Sequence, residues 1–196
     1  MKTRALNMLF APKRGQPKPF KPMSMRVYVF NEFSVESRVE PKSLICSMIY
    51  DFDFLIDKLN YLEEEVSPKW GKMNSFQMIN HCSNFIEVSL GHQKISLRTK
   101  VFGRLFGKLF LKYLKSLDFD INKYPKNSKT LKEFKPFLSE ESFLIQKNRL
   151  TENLKIVKKL KSHYTIHNIY GHIETSLFQR LVHFHTSYHF NQFGIL

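Results

Sequence analysis

Cysteine, acid and long apolar runs are scarce in this sequence, and each scarcity removes a class of protein. Only Cys46 and Cys82 occur in 196 residues. Two thiols make no disulfide framework, so both are expected to be free in a reducing compartment, with the cytoplasm as the expected location. Lys, Arg or Asn interrupts every apolar stretch before the roughly 18–20 uninterrupted residues that a bilayer crossing needs, so no transmembrane segment is expected. The apolar piece at residues 6–11 is too short for a signal-peptide core and runs into Pro12, Lys13 and Arg14, which argues against secretion. No repeat of about 20–50 residues is visible. Strand-like alternation is confined to the N-terminal region.

Acids number 17 against 31 Lys and Arg, a formal net charge of +14. That excess invites a nucleic-acid reading, but its distribution weakens it. Residues 1–26 hold Lys2, Arg4, Lys13, Arg14, Lys18, Lys21 and Arg26 with no acid, which is half of the excess. Beyond them the lysines scatter along expected helices without a helix-turn-helix, zinc-finger or RNA-binding signature, so no nucleic-acid partner is expected. What the chain does have is apolar material, 42% hydrophobic residues with 19 Phe, enough for the core of one domain.

Residues 1–45 differ from the rest. They carry Pro12, Pro17, Pro19, Pro22 and Pro41 with no sustained 3.6-residue period, and read as a disordered basic tail in which residues 25–33 form the one candidate strand. Met23, Met25 and Met48 offer later starts, and a start assigned too far upstream would account for the change in composition. The domain is expected over residues 46–196.

There the pattern is helical. Phe52, Leu55, Ile56, Leu59 and Leu62 form a one-sided stripe that predicts a first helix ending near Glu65, ahead of Pro68. Asn74 with Gln77 three residues later is a capping-box pattern and predicts a second helix over 74–91, stopped by Gly91. Residues 98–117 predict a basic amphipathic helix, with Val101, Phe102, Leu105, Phe106, Leu109, Phe110, Leu114 and Leu117 on one face and Arg104, Lys108, Lys112 and Lys115 opposite. Such a helix can lie on an anionic membrane surface; inside a helical domain the expected arrangement is the apolar face packed on a neighbour. A loop over 118–138 follows, then a helix starting near Ser139, with Ser139 and Ser142 as caps, and running through Leu160. Residues 163–172 read as a connector containing Gly171, and the last helix spans 174–191 with Gly194 ending it. The fold class is therefore all-α, a four-helix bundle with a subsidiary amphipathic helix, whose core can host a metal.

Three of the eight histidines fall on apolar faces. Met78, His81, Phe85 and Val88 share one stripe of the second helix, and Phe178, Val182, His185 and His189 share one stripe of the last. His185 and His189, four residues apart, put two imidazoles on one side of a helix within reach of one ion. With His81 facing the same core there are three neutral nitrogen ligands, the number that leaves an open position in a catalytic zinc site. The competing reading makes each a core histidine with hydrogen-bonded ring nitrogens. His183 points about 160° from His185 and should face elsewhere, and Cys82 is displaced by about 100° from His81. His92, His163 and His167 are weak ligand candidates; His172 is the least improbable addition. Tyr188 is a candidate donor near the site, though an aromatic there is more often core.

The run Trp70-Gly71-Lys72-Met73-Asn74, followed by Gln77-Met78 and His81-Cys82, resembles a segment of a DinB-related group of bacterial proteins. The ending from His185 through Tyr188-His189-Phe190-Asn191-Gln192-Phe193-Gly194 resembles that group's terminal motif. Residues 126–130 resemble its loop before the third long helix, and Tyr170-Gly171 its Phe-Gly before the last. The likeness covers about residues 48–196. It implies a DinB/YfiT-like four-helix bundle in which His81, His185 and His189 bind a divalent metal ion; three imidazoles suit Zn, Ni, Fe or Cu. It also implies metal-dependent hydrolase or thiol S-transferase chemistry on a small-molecule substrate, a thiol among the candidates; a homodimer is compatible with it. Two departures stand out: Ser187 and Tyr188 replace an acidic residue and a histidine common in relatives, and Phe178 replaces a Trp. No catalytic residue beyond the ligands is singled out. Two alternatives stay open: a non-catalytic helical binding or scaffold protein with a vestigial site, and a basic protein of nucleic acid or membrane surfaces.

Overall fold

The computed structural model describes residues 50–136 and 141–196. The expected tail, the candidate strand at 25–33, Cys46 and the Ser139 cap lie outside them. The described chain is mostly helical, with α1 Phe52–Asn60, α2 Ser75–Ser89, α3 Leu97–Ser116, a 3-10 turn Lys132–Phe134, α4 Phe143–Lys158, strands β1 Tyr164–His167 and β2 Gly171–Glu174, and α5 Thr175–Phe193.

Caps explain most of the boundaries. Asn74 accepts from the Gln77 amide while the Gln77 side chain accepts from the Asn74 amide, the capping box the sequence announces. Ser142 accepts from the Ile145 amide and starts α4. Gly194 closes α5 in the left-handed conformation at φ 74°, which L-residues adopt only with strain. The first helix is shorter than expected, ending at Asn60 instead of near Glu65. The Lys147 ammonium donates to the carbonyls of Asn60 and Leu62 at 3.0 Å each, satisfying acceptors where the helix has ended.

α1, α2, α4 and α5 share one core, with Leu55, Leu59, Met78, Ile86, Leu150, Leu154, Phe178 and Val182 buried in it. A polar brace crosses its edge: the Arg149 guanidinium of α4 donates to both Glu87 oxygens of α2, at 2.7 and 2.6 Å. It holds the Glu87 carboxyl below its usual range against the opposing push of burial.

Two expectations are corrected. The connector at 163–172 is an antiparallel hairpin, pairing Tyr164 with Glu174 through His167 with Gly171. Its turn closes on the His167 ring, whose Nδ1 accepts from the amides of Ile169 and Tyr170, and Gly171 supplies φ +79°. Arms of four residues are too short for an alternation to stand out, so the sequence hid them.

The second correction concerns α3. Its buried residues are Gly103, Gly107, Leu111 and Leu114; of the face expected to pack, Leu114 is buried while Leu105 is 66% exposed and Leu109 63%. The two glycines admit the hairpin. A Cβ at Gly103 would lie 2.0 Å from Ile169 Cγ2, and one at Gly107 2.3 Å from Tyr170 Cδ1. Small residues four apart let a neighbour approach closely, and that contact, not the Phe/Leu stripe, decides which side of α3 faces in.

Candidate metal centre

His81 reaches the core from the middle of α2, and His185 and His189 reach it from the last two turns of α5. The structure brings these three together: one ring nitrogen of each lies within 4.8 Å of the others, and the ring centroids are 4.8 Å apart pairwise. Nε2 of His81 and Nε2 of His185 are 3.0 Å apart.

Proton positions follow from the surroundings. Nδ1 of His81 lies 2.5 Å from the carbonyl oxygen of Phe134, an acceptor only, so Nδ1 carries the hydrogen and Nε2 is left with its lone pair. Nδ1 of His189 lies 2.8 Å from Oε1 of Gln192. The Gln192 amide cannot be turned the other way, because its Nε2 donates at 2.5 Å to the carbonyl of Trp70, which can only accept. His189 therefore also carries its hydrogen on Nδ1 and offers Nε2. Carbonyl acceptors behind ligating histidines are the usual means of fixing ring orientation and raising ligand basicity.

His185 differs. Its ring stacks on Phe85 at 4.0 Å between centroids, and its Nδ1 is buried with no partner among the described residues. Burial, aided by the neighbouring His189 and His81, holds its pKa well below the ordinary 6.5. Burial brings His189 down to about 3, with His81 adding to the effect and the Gln192 bond opposing it; burial also lowers His81 against the Phe134 bond. All three are neutral imidazoles at physiological pH, the form that binds metal.

The Trp-Gly and Gln-x-Gly segments meet behind this cluster. The Lys69 amide donates to the Gln192 carbonyl at 2.7 Å, and a Cβ at Gly71 would fall 2.5 Å from Gln192 Nε2. Gly71 is thus the residue whose bareness lets Gln192 reach Trp70 and so hold His189. Gln192 and the Phe134 carbonyl, which orient two of the rings, were not among the site residues the sequence pointed to. For Gln192 a signal existed, since it sits three residues after His189 on the same helical face; for a backbone carbonyl 53 residues from His81 there was none.

The remaining candidates do not join. His183 packs against Tyr50 and Phe52, as its helical angle required. His92, His163 and His172 are exposed, while buried His167 serves the hairpin turn. Cys82 is fully buried, and burial pushes its thiol far up from the ordinary value. Tyr188 donates its hydroxyl to the Pro125 carbonyl at 3.2 Å and lies edge-on to His189, so it acts as wall.

The three histidines line a cavity of about 950 Å³. Phe102, Phe106 and Phe110 of α3 form one rim; Lys72, Asn127 and Lys129 stand at another. An ion held by three nitrogens at about 2.0–2.1 Å in tetrahedral geometry sets them about 3.4 Å apart, and the cluster brackets that spacing. Among the described residues no helix is long and apolar enough to cross a membrane. Comparison with protein-family models, curated proteins and solved structures finds no match for this chain.

Proposed function

We propose that this chain is a mononuclear divalent-metal protein of DinB-like four-helix-bundle architecture, with His81, His185 and His189 as ligands, acting as a metal-dependent hydrolase or thiol S-transferase. The observation that carries the reading is the fixed tautomer of His81 and His189: two separate carbonyl acceptors turn both Nε2 lone pairs toward one point, where His185 adds a third ring. Core histidines do not need both outer nitrogens anchored to present bare inner ones. The DinB-like assignment draws support from the motif residues, since Trp70, Gly71 and Gln192 form one support for a ligand.

Three imidazoles suit Zn, Ni or Fe, and an ion there would supply Lewis acidity, lowering the pKa of a bound water or thiol. The protein's own part is to keep the nitrogens neutral by burial, to hold His81 and His189 in register, and to leave the open side facing the cavity. Lys72 and Lys129 at the rim offer cations to an anionic group of the substrate.

One observation favours the scaffold reading: His185 can donate from Nε2 to His81 Nε2 at 3.0 Å, so the rings can pair without an ion. His185 Nδ1 is buried without a partner among the described residues in either reading, so it does not separate them. The thermal midpoint separates the readings. A metal-loaded protein is expected to lose several degrees on chelation and regain them with zinc. A midpoint indifferent to both supports the scaffold.

A further inference from the structure

Helix α3 carries an outward surface that the histidine site does not use. Leu97, Val101, Phe102, Leu105, Phe106, Leu109 and Tyr113 are each more than 40% exposed along its 20 residues. The same helix holds Arg98, Lys100, Arg104, Lys108, Lys112 and Lys115 and no acid. None of these cations makes an ion pair among the described residues. At 100° per residue, Gly103, Gly107, Leu111 and Leu114 face the hairpin, Leu105 and Leu109 point away from it, Arg104, Lys108, Lys112 and Lys115 lie along one flank, and Phe102, Phe106 and Phe110 along the other. The Phe flank turns into the cavity: these three rings line it and are still 53%, 49% and 36% exposed, so they form its rim.

Charge selects the occupant. A second copy of the chain would set two all-basic helices against each other, and the segment 1–26 brings seven further cations and no acid. A surface that is apolar below and anionic above complements the arrangement, with leucines entering the acyl boundary and lysines at headgroup level. We propose that α3 seats the protein on an anionic lipid surface, and that the cavity it borders takes an amphiphile whose apolar chain lies along Phe102, Phe106 and Phe110. Lys72 and Lys129, which also line the cavity, suit the anionic end of such a molecule.

The inference goes beyond the metal reading and does not require it. The full chain is mixed with vesicles of phosphatidylcholine alone or with phosphatidylglycerol added, and flotation is measured. The expected result is at least about tenfold more protein on the anionic vesicles, most of it lost as salt rises from about 0.1 M to about 1 M, and abolished in the L105E/L109E variant. Those two side chains are exposed and lie outside the cavity lining, so the variant should keep the wild-type circular dichroism. Trp70, the single tryptophan, lines the cavity and reports the ligand: dibrominated stearate should quench it saturably, in wild type and variant alike. Flotation indifferent to phosphatidylglycerol, flotation kept by the variant, Trp70 untouched by the brominated chain, or a wild-type dimer that the variant splits would each overturn the proposal. Metal content is read separately, so a protein that floats and is quenched but holds no ion would defeat the metal reading alone.

Discussion

The two sides of the cavity are held by different physics. On the α2/α5 side each anchored imidazole is tied through a hydrogen bond to a carbonyl that is itself fixed, His81 to Phe134 and His189 through Gln192 to Trp70. On the α3 side the wall is seated by bare glycines against Ile169 and Tyr170, with Phe102, Phe106 and Phe110 along the cavity and Leu105 and Leu109 facing outward. Directional bonds fix where the nitrogens point; close approach fixes only where a helix lies. The chemistry of the site and access to it should therefore respond to different mutations.

The largest expected effect is on the seating. Ile169 is fully buried, and Ile169→Ala should cost about 2–5 kcal/mol in urea denaturation while leaving metal stoichiometry unchanged. A variant that also fails to hold metal once folded would break the separation between the two sides.

Next comes the support of His189. Gln192→Leu strands the Trp70 carbonyl and frees the His189 ring, and should weaken metal affinity by about 10–100-fold, measured by competition with a chromophoric chelator. Unchanged affinity would mean that the ring is held by packing alone.

Acid sharpens the contrast further. Burial depresses His167 from 6.5 to about 3 in the folded chain, so the unfolded state binds more protons between those values. Its contribution is intact above pH 6.5 and is lost as pH falls toward 3, about 1–2 kcal/mol of it by pH 5. His167→Asn, which keeps an acceptor for the turn amides without the titration, should make the thermal midpoint fall less steeply with acid in metal-free protein, the remaining slope coming from buried His81, His185 and His189. An equally steep profile would place the sensitivity elsewhere.

The smallest effect belongs to the outer surface of α3. Leu105→Glu should change stability by no more than about 0.5 kcal/mol, since the side chain is 66% exposed. A loss of several kcal/mol would show that this face is packed in solution.

What the sequence made legible follows the same division. The histidine cluster could be read because helical spacing fixes relative direction: His185 and His189 are one turn apart on the stripe of Phe178 and Val182, and His81 continues that of Met78 and Phe85. Caps at Asn74, Ser142 and Gly194 were legible because each residue type solves a local backbone problem. The orientation of α3 was not, because periodicity shows that a helix has two faces without showing which one finds a partner. Its GxxxG pair, Gly103 and Gly107, held that information, and the Phe/Leu stripe drew attention away from it. The hairpin was hidden by the brevity of its arms, and the Phe134 carbonyl by having no side chain to read.

Whether His81, His185 and His189 hold one ion is read from the metal content of protein loaded with zinc and dialysed, compared between wild type and His185→Ala. About one ion per chain is expected in the wild type and almost none in the variant, with helical content unchanged. Negligible metal in the wild type, or the same content in both proteins, would contradict it.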